Sequence, residues 1–206
     1  MPRTSFFAYL TLVVGISAVG TPAFAAPSQD LLNECASCHG KDGASTEKDI
    51  PVISGLSPLY FSDSLHYFKD KERPCDETEI RSGERKGEKT DMCKEAGELS
   101  DDQIEELAEY FAAKPFVRVK QSFDEAKAKM GAEVHDRNCE KCHEDAGSSA
   151  EDDAGIMAGQ WMDYLRKTFK EYSSGERPMT EKMQVKYEKL NAEELEALLH
   201  FYVSQQ

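Results

Sequence analysis

Two pentapeptides decide how this chain is read: Cys35-Ala36-Ser37-Cys38-His39 and Cys139-Glu140-Lys141-Cys142-His143. Both are CxxCH, the spacing at which two thiols add to the two vinyl groups of haem while the following histidine ligates the iron. A structural zinc site would bring its CxxC pairs within about 15–20 residues of each other, whereas these lie 104 residues apart. A thioredoxin-like redox motif needs a βαβ context, and no alternating β pattern of useful length occurs in the chain. The expected cofactors are two covalently bound haem c groups.

Working outward from the motifs, the chain repeats itself. At an offset of 104, Cys38 falls on Cys142, His39 on His143, Gly55 on Gly159, Tyr60 on Tyr164, Phe68 on Tyr172, Arg73 on Arg177 and Pro74 on Pro178, without a gap. Beyond the proline the offset drops to 91, where Met92 falls on Met183, Leu99 on Leu190, Leu107 on Leu198 and Phe111 on Tyr202. The first half therefore carries 13 extra residues between Pro74 and Met92. A period of this kind marks a duplicated structural unit.

The repeat also selects a second iron ligand. A haem that moves electrons without binding small molecules needs both axial positions filled, and a methionine thioether fills one and raises the potential. Met92 is the only methionine after the first motif in its half, and its match is Met183. Met179, one helical turn earlier, is the alternative to Met183, while Met157 and Met162 read as packing residues that fill irregular gaps. The expected axial pairs are His39/Met92 and His143/Met183. His66, His135 and His200 lack a preceding CxxC and read as core or surface histidines, and Trp161 reads as a packing residue near a haem or between the halves.

The 206 residues carry 25 cationic and 39 acidic side chains, a net charge of −14, with 39% apolar and 31% charged residues. That balance excludes a basic nucleic-acid binder and a multispanning membrane protein. It also leaves little apolar material for burial, a shortage that a large apolar cofactor relieves. At the N-terminus, Arg3, the apolar run Phe6 to Val19 and Ala23-Phe24-Ala25 form the n-region, h-region and small-x-small cleavage pattern of a secretory signal peptide. The run is broken by Gly20, Thr21 and Pro22, too early for the roughly 20 apolar residues of a membrane span. Cleavage after residue 25 would export a chain of charge −15 to the periplasm, where paired cysteines survive oxidised.

Helical spacing recurs in each half. Leu31, Leu32 and Cys35 lead into the first motif and Ala126, Met130 and Val134 into the second, so each motif is expected to close a helix. Ser100 with Gln103, and Asn191 with Glu194, are capping-box starts of terminal helices whose apolar faces carry Ile104, Leu107 and Phe111 in one and Leu195, Leu198 and Tyr202 in the other. Ser122 with Glu125 marks a fresh helix start. The organisation read from these signals is a signal peptide at 1–25, one domain at 26–114 with an insertion within 75–91, a linker at 115–121 and a second domain at 122–206.

The insertion is bracketed by the remaining cysteines, Cys75 and Cys93, the latter next to Met92. A disulfide closing a loop of about 19 residues would stabilise by roughly 3 kcal/mol in the chain-entropy model and would hold Met92 in place. Two thiolates binding a soft metal such as Cu(I) are the alternative.

The signal sequence, the two CxxCH units, the Gly-Gln with a tyrosine five residues after the glycine and the Arg-Pro before the methionine resemble the dihaem class I cytochromes c. Val119 to Asp124, Gly131-Ala132, His135-Asp136, the second motif, Ala158-Gly159-Gln160-Trp161, Arg177-Pro178-Met179 and Phe201 to Gln206 resemble the cytochrome subunits of flavocytochrome c sulfide dehydrogenases more specifically. Glu144, where the free dihaem cytochromes usually carry glycine, points the same way, whereas the 75–91 insertion departs from the family. The resemblance implies an all-α fold of two tandem class I cytochrome c domains, each wrapped around one haem c. It implies a separate FAD-containing flavoprotein that oxidises sulfide, with this chain passing electrons on to an external acceptor such as another cytochrome c. A free dihaem cytochrome that shuttles electrons to a terminal oxidase is the alternative. No GxGxxG opens a βαβ unit here, so substrate chemistry would belong to the partner.

Overall fold

The computed structural model describes residues 1, 26–151 and 153–206; the signal-peptide reading falls outside them. The first half runs α1 (Gln29–His39), a short 3₁₀ turn (Lys41–Gly43), α2 (Pro58–Lys69), a hairpin of β1 (Thr78–Glu79) and β2 (Lys89–Thr90), α3 (Met92–Gly97) and α4 (Asp101–Ala112). The second half runs α5 (Glu125–Asn138), α6 (Glu144–Gly147), α7 (Met162–Ser174), α8 (Glu181–Tyr187) and α9 (Ala192–Ser204). The hairpin, antiparallel with Thr78 opposite Thr90, is built entirely from the insertion.

Local chemistry explains most helix boundaries. Ser28 caps α1 through the Leu31 amide, and Ser57 caps α2 with Pro58 in the first turn, where a missing N–H costs nothing. The reciprocal capping boxes of Ser100/Gln103 and Asn191/Glu194 are both formed. Two boundaries differ from the sequence reading. The residue that caps α5 is Asp124, whose carboxylate accepts from the Lys127 amide at 2.9 Å while its own N–H donates to His200 Nδ1 at 3.0 Å. Among the described residues Ser122 has no such tie to the last helix. The second motif, moreover, lies beyond its helix: α5 stops at Asn138, and the Cys139 and Glu140 amides both donate to the His135 carbonyl. The Glu140 carboxylate reaches back to His135 Nε2, a bond closed to the matching Leu31 and Ala36 of the first half, where α1 continues through its motif to His39.

The duplicated frame is visible in the turns. Ile53 N donates to Gly43 O at 2.8 Å and Met157 N to Gly147 O at 2.9 Å; Gly55 N donates to Phe111 O and Gly159 N to Tyr202 O, each at 2.8 Å. Gly55 and Gly159 have φ of +70° and +71° and meet the 115–121 segment, where an added Cβ would lie 2.6 Å from the Phe116 amide and 2.6 Å from Arg118 Cβ. Glycine is thus required twice over at both positions.

Each half has its own apolar core, around Phe61, Ile104, Leu107 and Phe111 in the first and Leu165, Phe169, Leu198 and Tyr202 in the second. The halves are closely joined. Ile156 from the second half is buried in the first core. Gln160, 2% exposed, clamps Val52 from both sides, accepting from its amide at 3.0 Å and donating to its carbonyl at 2.9 Å. Trp161 donates from Nε1 to Ser45 O at 3.0 Å, which assigns the single tryptophan to the junction. Among the described residues no helix is long and apolar enough to cross a membrane.

Candidate haem site

Both motifs open into one continuous, mainly apolar cavity of about 920 Å³ that runs between the halves. Cys35, Cys38 and His39 line it from the end of α1, and Cys139, Cys142 and His143 from the turn after α5. Met92, the first residue of α3, and Met183, in the first turn of α8, line it as well. Met179 and Met157 also reach the cavity, so both methionines of the Met183/Met179 choice border the same space. Met162 does not: it packs against the second core and receives Arg166 Nη2 at 3.6 Å.

Placement of the side chains follows from the neighbouring backbone. His39 Nδ1 lies 3.0 Å from the Pro51 carbonyl, which can only accept, so Nδ1 carries the proton and Nε2 is the basic atom. Burial holds the His39 ring below the ordinary imidazole range, with the Pro51 bond pulling the other way. The four motif cysteines are not disulfide-bonded. Burial pushes the Cys35 thiol up to about 12, with Glu34 and Glu95 adding to the effect; burial also raises Cys139, against the pull of Tyr202, Lys186 and Arg137. Cys75 and Cys93 are joined, with Cα atoms 5.4 Å apart, which consumes the thiolates that a soft metal would need.

Two buried arginines, matched in the repeat, were not given a role by the sequence. Arg73 is 7% exposed and stacks over Phe68 at 4.0 Å; Arg177 is 5% exposed and stacks over Tyr172 at 4.9 Å. Arg177 also donates to Tyr60 of the other half and to Thr168, each at 3.2 Å. Burial alone would raise Tyr164, yet Arg177 and Arg73 together bring its phenol down to about 8. Both arginines line the cavity, and Arg73 Nε is buried with no hydrogen-bond partner among the described residues. A buried cation with an unsatisfied donor on an apolar cavity suits a flat apolar ligand that carries carboxylates. The lining therefore fits haem, whose apolar ring carries propionates. The only hint in the sequence was the paired Arg-Pro itself.

Comparison with known proteins agrees with this chemistry. The family model for cytochrome c matches residues 25–113. Cytochrome c-554(548) of Halomonas halodenitrificans is 30% identical over 90 residues, which are 43% of this chain and 94% of the relative. Among solved structures, reduced recombinant cytochrome c4 from Pseudomonas stutzeri superposes with a TM-score of 0.67 at 24% identity, covering 87% of this chain and 98% of the other. Cytochrome c4 of Acidithiobacillus ferrooxidans gives 0.64 at 23% identity, with 84% and 99% covered. The thiosulfate dehydrogenase TsdBA from Marichromatium purpuratum gives 0.64 at 24% identity, with 82% of this chain but 36% of the other covered. The chain is mostly helical with a cytochrome c4-like fold, and because it covers 94% of the length of a cytochrome c relative at 30% identity, it belongs to the cytochrome c family.

Proposed function

We propose that this chain is the dihaem electron-transfer subunit of a periplasmic flavocytochrome c sulfide dehydrogenase. Its two domains, 26–114 and 122–206, would each hold one haem c, through Cys35 and Cys38 in the first and Cys139 and Cys142 in the second. His39 with Met92 and His143 with Met183 would hold the two irons. The observation that carries this reading is that the histidine and the repeat-matched methionine of each half border one apolar cavity lined by buried arginines. When bound, haem supplies one-electron chemistry between Fe(III) and Fe(II). The chain's own part is to orient His39 through the Pro51 carbonyl, to exclude water with the two cores, and to neutralise the propionates with Arg73 and Arg177. Sulfide oxidation belongs to an FAD-containing partner, a reading supported by the second-half resemblance from Val119 to Gln206 and by Glu144 after the motif. The exported location is supported by residues 1–25.

A free dihaem carrier is the second reading, favoured by the near-complete coverage of two cytochromes c4. Purification from the native periplasm under conditions that keep partners together, with visible spectra before and after sulfide, decides between the two. Co-purifying flavin absorbance and fast haem reduction are expected. A haem-only protein that sulfide reduces slowly overturns the sulfide dehydrogenase reading in favour of the free carrier.

A further inference from the structure

The second half holds a buried histidine that the haem chemistry proposed above does not use. His135 on α5 is fully buried, with a bonding partner at each ring nitrogen: Nδ1 lies 3.0 Å from Tyr202 Oη, and Nε2 meets the Glu140 carboxylate. Tyr202 Oη in turn bonds to the Cys139 sulfur. These four side chains form a line from water to the cavity. Glu140 is 45% exposed, His135 stands behind the cavity wall, and Tyr202 and Cys139 line the cavity itself. In the first half the matching positions hold Ala36, Leu31 and Phe111, and only the cysteine, Cys35, is kept.

One proton sets the donor and acceptor roles along this line. A carboxylate can only accept, so in the neutral ring Nε2 carries the proton and Nδ1 accepts from the Tyr202 hydroxyl. The single proton of that hydroxyl then points at the ring, and the Cys139 sulfur receives none. When the ring takes up a second proton, Nδ1–H donates to Tyr202 Oη and the hydroxyl turns its own proton toward the sulfur. Burial, with Cys139 and Glu140 adding to it, holds the Tyr202 phenol well above its ordinary value, so the hydroxyl keeps its proton in both states. A sulfur joined to haem as a thioether has lone pairs and no proton, and can only accept. Both consequences of protonation have the same sign: a positive charge on a buried ring and a hydrogen bond to the thioether each favour Fe(II) over Fe(III).

The surrounding charges are placed otherwise. On α5, Glu133 and Asp136 are exposed, and Arg137 is held by Glu194 of α9 at 2.8 Å. Beyond Glu140, Lys141, Glu144 and Asp145 are exposed. From α8, Lys186 acts through space on Cys139, as does Arg137. On α9, Phe201 packs on the His135 ring at 5.0 Å between centroids, and His200 is engaged by the Asp124 amide and by Glu196. Imidazole is the side chain that ordinarily changes charge between about pH 5 and 8, and His135 is the imidazole that reaches a motif cysteine through a single hydroxyl.

We infer that His135 is a proton-binding site coupled to the second haem, with the Tyr202 hydroxyl as the link. One electron from the redox partner, taking the second iron from Fe(III) to Fe(II), favours uptake of one proton from solvent at His135 Nδ1, and oxidation releases both. The inference rests on the reading of this chain as a dihaem electron carrier. It adds that the second half moves a proton with its electron, through residues for which the first half has no counterpart.

The test is a redox titration of the holo-protein, wild type, H135L/Y202F and Y202F, at pH 8 and at pH 5, with one midpoint read for each haem. On going to pH 5, one wild-type midpoint is expected to rise beyond the other by about tenfold in its reduction equilibrium, or ~59 mV for one electron. H135L/Y202F, which carries the first-half pair, should bring the two midpoints into parallel. Y202F keeps the ring and removes the hydroxyl; it should lose most of the excess while nitrogen NMR shows His135 still taking up its proton. The same spectra of the wild type at pH 7 should show His135 more protonated in the ferrous than in the ferric protein. An equal excess in all three proteins overturns the inference, and so does a His135 whose protonation is the same in both oxidation states. An excess lost in H135L/Y202F but intact in Y202F overturns the hydroxyl link. Should H135L/Y202F fail to fold, Y202F and the wild-type spectra decide. A haemochrome count below two haems per chain would instead overturn the dihaem reading, whereas two haems without the excess overturn only the proton coupling.

Discussion

The crossing between the opening and closing helices is built differently in the two halves. In the second, α5 and α9 touch at Gly131, where an added Cβ would lie 2.2 Å from the Ala197 carbonyl oxygen and 2.7 Å from Phe201 Cβ. One turn on, His135, fully buried, bonds to Tyr202 Oη at 3.0 Å. In the first half Gly131 is matched by Pro27, His135 by Leu31 and Tyr202 by Phe111. Proline and the capping Ser28 start α1 only at Gln29, in register with Glu133, so the close crossing has no counterpart there. Leu31 and Phe111 form an apolar contact region instead, completed by Ile156 from the other half. The first half has in addition a disulfide that ties the insertion beside Met92. The duplicated frame thus depends on its glycine turns and on the motif and methionine positions, while the helix pairing between them tolerates either an apolar or a hydrogen-bonded solution.

The largest effect is expected at the crossing. Gly131→Val places its side chain against backbone, which cannot rotate away, so α5 and α9 must separate. We expect a loss on the order of 4 kcal/mol or more, the range reached when a core is overpacked without relief, read as the urea midpoint. Gly97→Ala, with nothing within 4 Å of the added Cβ, should change the midpoint little. A Gly131→Val protein as stable as wild type would show that the crossing is not what holds the second half together.

How much of this was legible in the sequence depends on whether the signal was local. The CxxCH units, the offset that pairs Met92 with Met183, the capping boxes of α4 and α9, and the cysteines that bracket the insertion each lie within a few residues or repeat in register; the structure forms both capping boxes and joins Cys75 to Cys93, and it brings both motifs and both methionines to one cavity. Helices α2 and α7 were less visible: Ser57-Pro58 is a sound start, but Trp161 gives α7 no side-chain cap. The Gln160 clamp on Val52 had no local signal at all, because a lone glutamine matched by Leu56 acquires its role only when the other half's backbone arrives. The same holds for Arg73 and Arg177, whose pairing was visible but whose burial depends on the junction. Only the fold could reveal that α5 ends before its motif, where Glu140 bonds back to a histidine that the first half lacks.

The second prediction converts one solution of the helix pairing into the other. His135→Leu alone deprives Tyr202 Oη, on a residue 1% exposed, of its histidine partner and leaves it the Cys139 sulfur, a weak acceptor, while the half-exposed Glu140 carboxylate that His135 also bonds turns to water. It should cost about 2 kcal/mol, the penalty of a buried hydroxyl deprived of its partner. His135→Leu with Tyr202→Phe reproduces the Leu31/Phe111 pair and should recover most of that loss, because removing both partners is nearly neutral when the shapes are kept. The double-mutant cycle is read by urea denaturation, and coupling near zero would mean that the two residues act independently.

The smallest effect concerns a carboxylate that the duplication treats unequally. Glu196 on α9 is bonded by Arg166 on α7 and faces Lys127 on α5. Hydrogen bonds from Arg166, against the opposing effect of burial, hold it down at about 2 from an ordinary 4.5, with Lys127 contributing. Its match in the first half is Glu105, where Arg166 is replaced by Ser62. Because the folded value is depressed, the stabilisation is complete above pH 4.5 and is lost as pH falls toward 2. The side chains are 48% and 30% exposed, so solvent limits the gain to about 1 kcal/mol or less. Glu196→Gln should therefore lower Tm by a few degrees at pH 7 and by much less at pH 3. Glu105→Gln should leave Tm unchanged at both values. An equal deficit for Glu196→Gln at the two pH values would mean that the glutamate contributes through packing, and that the three-helix tie between α5, α7 and α9 is not electrostatic.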